Sequence, residues 1–64
     1  MEQRYEYFNN QVKVLEGQLE LWTGVWEEDM KEGNYSMEEK ESCLRKIVVL
    51  KELIEHSKFM RDNP

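Results

Sequence analysis

The sequence predicts an all-α chain folded as an antiparallel two-helix hairpin, and three observations carry that expectation. Apolar residues recur at three- and four-residue intervals through most of the chain. One short segment, Lys31-Glu32-Gly33-Asn34-Tyr35-Ser36, interrupts the spacing. The apolar line before that break, read backwards, has the same spacing as the line after it. Residues 1–64 therefore read as one helical-hairpin domain. Its expected parts are a helix over about 2–31, a turn over about 32–36 and a helix over about 37–61.

The first helix carries two apolar seams. One is Tyr5, Phe8, Val12, Leu15, Leu19, Trp22 and Trp26; the other is Tyr7, Asn10, Val14, Gly17, Leu21 and Gly24. At about 100° per residue their centres lie roughly 160° apart, so a single second helix covers only one of them. Gly33, just past the end of the pattern, suits the left-handed conformation that closes many helices.

Ser36 followed by Glu39 has the form of a capping box, in which the Ser36 side chain accepts from the Glu39 amide and the Glu39 side chain returns to the Ser36 amide. The second helix should start at Met37. Its apolar line is Cys43, Ile47, Leu50 and Ile54, flanked by Leu44 and Val48 on one side and by Val49, Leu53 and Met60 on the other. The β-branched run Ile47 to Val49 would also suit a strand, but the helical spacing continues on both sides and no Gly or Pro bounds it. Antiparallel pairing sets Trp26 near Cys43, Trp22 near Ile47, Leu19 near Leu50 and Leu15 near Ile54, in the shallow crossing of coiled coils.

Size makes association the expected source of extra stability. A chain of 64 residues buries only roughly 60% of its unfolded surface, and small scaffolds usually need a disulfide, a metal or a partner. One cysteine, Cys43, forms no intrachain disulfide, and one Cys with one His gives no zinc site. The second seam points to a partner copy. Gly17 and Gly24 each cost about 1 kcal/mol relative to Ala inside a helix, yet they share a face with Tyr7, Val14 and Leu21 and would let another helix approach closely. The expectation is a homodimer forming a four-helix bundle, with an interface of Tyr7, Asn10, Val14, Gly17, Leu21, Gly24, Val49 and Leu53. A two-fold axis near Gly17 would pair the first helices antiparallel, but the sequence leaves the direction open.

Charge is uneven. Glu27, Glu28, Asp29 and Glu32 close the first helix and Glu38, Glu39 and Glu41 open the second, with only Lys31 and Lys40 nearby. The acids of the second helix favour its dipole; those of the first oppose theirs, at about 0.3–1 kcal/mol each when exposed. Such a tip could dock a basic partner, with carboxylates standing in for phosphates, or could simply be a solvated end. At the other end Tyr5, Tyr7 and Phe8 run past the apolar part of the second helix and are expected to pack on Phe59 and Met60, on the other subunit, or on a partner.

No catalytic arrangement emerges. His56 follows Glu52 by one turn, but the di-iron Glu-x-x-His pattern would need a Glu where Leu53 stands, so an exposed His56 paired with Glu52 is expected instead. Cys43 is more than three helical turns from His56 and is read as a small buried residue against Trp26. No phosphate loop and no zinc-protease motif occurs. A net charge of −5 disfavours direct nucleic-acid binding, no apolar stretch reaches the ~18–20 residues of a membrane span, and residues Glu2, Arg4 and Glu6 do not resemble a signal peptide.

These readings converge on a cytoplasmic, non-enzymatic protein without cofactor or metal. Its expected work is binding: a homodimeric regulator, inhibitor or assembly factor that acts on another protein. Two alternatives are an acidic nucleic-acid mimic, which would block the basic site of a nucleic-acid-binding protein, and a structural subunit of a larger helical assembly.

Overall fold

A computed structural model describes residues 2–63. Helix α1 spans Glu2–Val25, continues into a π-helical turn over Trp26–Met30, and is joined by a short connection to helix α2, Met37–Asp62. The two long elements pack side by side in opposite directions, and the described residues contain no strand. The hairpin measures 49 × 15 × 10 Å, with a radius of gyration of 14.5 Å. A compact chain of this length would have a radius of about 11 Å, so the molecule is a rod.

The core is one row deep. Val12 on α1 and Cys43, Ile47, Leu50, Ile54 and Ser57 on α2 are buried, while Phe8, Leu15, Leu19, Trp22 and Trp26 are half-buried around them. This is the predicted apolar line on each helix, except that Tyr5 at the outer end of the first is exposed, because it lies beyond the apolar part of α2. Cross-helix contacts at Asn9–Arg61, Glu16–Lys58 and Trp22–Cys43 run in opposite senses along the two helices, so the pairing is antiparallel.

The turn departs from expectation in two ways. Helix 1 does not stay α-helical to residue 31: from Trp26 it widens, and the Lys31 amide donates to the Trp26 carbonyl at 2.9 Å, a bond five residues long. Gly33 is not left-handed, since none of the described glycines has a positive φ. Its missing side chain serves close packing instead. A Cβ there would run into the Asp29 carbonyl oxygen and lie 2.7 Å from the Tyr35 ring. Tyr35 folds back over this point and donates its hydroxyl to Asp29 at 2.6 Å.

Helix α2 starts as predicted. Ser36 is the N-cap in extended conformation, and its Oγ accepts from the Glu39 amide at 3.2 Å. Only that half of the capping box forms among the described residues; the Glu39 carboxylate does not return to the Ser36 amide.

Candidate interaction surfaces

The second seam of α1 lies open along the hairpin. Tyr7, Val14 and Leu21 are 62%, 60% and 62% exposed, which is far from the burial of the core line. Asn10 and Gly17 between them are exposed and Gly24 is half-buried. A Cβ built on Gly17 or Gly24 would meet nothing within 4 Å, so within the chain neither glycine is required for packing. Tyr7, Asn10, Gln11 and Val14 border an open hollow of about 280 Å³. From α2, Val49 and Leu53 are each 45% exposed.

Geometry places these two sets on adjoining sides. Tyr7, Val14 and Leu21 lie about 120° around α1 from the core line, towards Gln11 and Gln18. Gln18 in turn borders, with Trp22, Val49 and Leu50, an open groove of about 450 Å³ between the helices. The Lys46 ammonium sits 4.1 Å from the Trp22 ring centre and covers one wall of that groove.

The opposite side of the hairpin is laced by polar contacts. Lys58 pairs with Glu16 at 3.7 Å, and Arg61 donates to Asn9 at 3.0 Å. Yet α2 also exposes Leu44, Val48 and Phe59. Leu44 and Val48 flank the core line by spacing, and the narrow one-row core explains why they stay wet.

The aromatic end is organised by arginines. Phe8 is half-buried and meets Tyr7 edge to face at 5.0 Å, with the Arg4 guanidinium 5.5 Å from its ring centre. Arg61 stands 5.7 Å from the Tyr5 ring centre, between that ring and Asn9. Phe59, expected as a possible cover, is 62% exposed. Arg61 also binds its neighbour Asp62, and that hydrogen bond holds the Asp62 carboxyl below the usual carboxylate range.

At the turn all seven carboxylates, Glu27, Glu28, Asp29, Glu32, Glu38, Glu39 and Glu41, belong to exposed residues. Two of them are already engaged. Glu27 pairs with Lys31 at 3.6 Å, and Asp29 accepts the Tyr35 hydroxyl. The hydrogen bond to Asp29, with the charge of that carboxylate behind it, raises the Tyr35 pKa above its ordinary value. Lys40 approaches the Lys31 carbonyl at 3.5 Å, so a cation does stand at the negative end of the first helix, supplied from the second. Sequence spacing could not show this, because the pairing depends on the turn.

Two residues considered for chemistry have structural surroundings. Cys43 is buried, and its thiol approaches the Trp22 carbonyl at 4.0 Å, on the turn of the first helix that leads to Trp26. His56 is exposed, and the expected ion pair with Glu52 does not form. Among the described residues no three or more His, Cys, Asp or Glu side chains gather closely enough to hold a metal ion. No helix among them is long and apolar enough to cross a membrane.

No protein-family model, curated protein or solved structure matches this chain. The physical properties of its surfaces are therefore the basis for any functional reading.

Proposed function

We propose that this chain is a non-catalytic cytoplasmic interaction module. It works as a homodimer, in a four-helix arrangement, and regulates, inhibits or helps assemble another protein. The observation that carries this reading is the exposed row Tyr7, Val14 and Leu21, with Val49 and Leu53 beside it. Surface area supports it. The chain exposes 5184 Å², whereas a compact monomer of 7.8 kDa exposes about 4,400 Å². A long row of wet apolar side chains on so small a scaffold is the usual mark of a contact surface. Sedimentation at micromolar concentration should give twice the chain mass, and a compact, fully folded monomer at that concentration would refute the proposal.

A second reading, the acidic nucleic-acid mimic, is favoured by the convergence of the seven exposed carboxylates on one end of the rod. Binding to a basic, nucleic-acid-binding protein would then fall steeply with added salt and would be lost in Glu28→Lys with Glu38→Lys. These two positions leave the Asp29–Tyr35 and Glu27–Lys31 contacts intact. Salt-independent binding would remove this reading. A purely structural role would show itself as oligomers that continue to grow with concentration in the purified protein.

A further inference from the structure

We propose that two copies pair through α1 in the antiparallel sense, with Tyr7, Val14 and Asn10 of one copy lying over Gly24, Gly17 and Leu21 of the other. The proposal rests on the homodimer reading and assigns its direction, its register and a pair of specifying charges. Three independent features of the chain lead to it.

The first is shape. Tyr7, Val14 and Leu21 repeat every seven residues on α1, and so do Asn10, Gly17 and Gly24. An antiparallel pair in this register sets one large and one small side chain in each layer, which lets the layers interdigitate. A parallel pair sets like on like: Tyr7 against Tyr7 and Leu21 against Leu21 hold the backbones apart, and Gly17 against Gly17 leaves a void. The hollow bordered by Tyr7, Asn10, Gln11 and Val14 is the four-residue socket that coiled-coil packing needs, and Leu21 of the second copy is the knob that reaches it.

The second feature is the distribution of charge. Between Gly24 and Cys43 there are seven acids and two lysines, a difference of −5, which equals the net charge of the whole chain. The remaining acids and bases cancel. A parallel dimer would set both acidic tips side by side. An antiparallel dimer puts them at opposite ends of an assembly at least as long as the 49 Å hairpin, several times the ~8 Å over which salt screens charge.

The third is a matched pair of ions. Lys13 and Glu20 are exposed, stand seven residues apart beside the apolar row, and among the described residues take no ion-pair partner within the chain. In the antiparallel register Lys13 meets Glu20 of the second copy, and the two-fold axis makes the contact twice. In a parallel pair Lys13 faces Gln18 and Glu20 faces Val25. The same antiparallel register brings Glu6 towards Glu27 of the second copy, a like-charge contact that Lys31, 3.6 Å from Glu27, offsets.

The test is cysteine cross-linking with Asn10→Cys and Leu21→Cys made as separate variants, the wild-type chain with its buried Cys43 serving as the blank. Oxidation of the two variants mixed in equal amounts should give a cross-linked pair, and oxidation of either alone should not. Cross-linking of each variant with itself would overturn the antiparallel direction and leave the dimer standing. Dimeric mass without cross-linking in any sample would move the contact to another face and overturn the proposal. Monomeric mass throughout would remove the dimer reading itself. A second measurement avoids new cysteines: Lys13→Glu should weaken self-association about three- to tenfold, and adding Glu20→Lys should restore it. A single variant that leaves association unchanged, or a double variant that fails to restore it, counts against the register.

Discussion

Replacing glycine by alanine should have opposite consequences inside α1 and in the turn that follows it. Gly17 and Gly24 lie inside the helix with no atom near the site of an added methyl group, so each substitution removes only the backbone freedom that glycine brings to the unfolded chain. Each should stabilise the single hairpin by about 0.8–1.0 kcal/mol. Together they should raise its melting temperature by about 6–16 °C, at about 4–8 °C per kcal/mol for a domain of this size. Gly33 is different. A methyl group there meets the Asp29 carbonyl oxygen and the Tyr35 ring, so the turn must open, at a loss of about 1–3 kcal/mol. The assay is urea denaturation followed by circular dichroism, at the lowest practical concentration and again at a much higher one, where the proposed dimer would form. At high concentration the gain from Gly17→Ala and Gly24→Ala should shrink or reverse, because a second α1 would occupy that space. An equal gain at both concentrations would show that nothing covers the glycine face. A Gly33→Ala chain as stable as wild type would show that the turn does not close on Asp29 as described.

Three further outcomes follow from local contacts. Ser36→Ala removes the acceptor for the Glu39 amide and should cost about 0.5–2 kcal/mol, measured by the same urea titration, with little loss for Ser36→Asp. Ile54→Ala opens a one-row core and should cost about 2–5 kcal/mol, read as loss of helical signal at a much lower urea concentration than wild type. The raised pKa of Tyr35 means that its contribution is complete below the ordinary tyrosine range and is lost as pH climbs through the folded-state value. Phenolate absorbance should therefore show one late-titrating tyrosine in the folded chain, and Tyr35→Phe should remove it.

The sequence was sufficient for the helices, their order and the residues between them, because each depends on local periodicity or on a side chain three or four positions away. Cys43, Ile47, Leu50 and Ile54 could be read as one buried line from spacing alone, and the structure buries all four. The exposed second seam was legible for the same reason: three- and four-residue spacing alone puts apolar residues on two sides of the first helix. Ser36 announced itself because its acceptor and the amide it serves are close in the chain.

What tertiary structure alone decided involves groups far apart in sequence or a backbone that departs from the regular helix. The π-helical turn at Trp26–Met30 has no distinct pattern in its residues, since Trp26 and Met30 would suit an α-helix equally well. Gly33 is not the left-handed helix terminator that its position suggests, because its role is to make room for Asp29 and Tyr35, which are brought together only when the chain turns. Lys40 reaches the end of the first helix from the second, and Arg61 reaches Asn9 and Tyr5 from the far end of the chain. Local physics sets which face of each helix is apolar, because that follows from three- and four-residue spacing. Which atoms then meet across the hairpin depends on how the turn closes, and the turn closes through contacts that exist only in the folded chain.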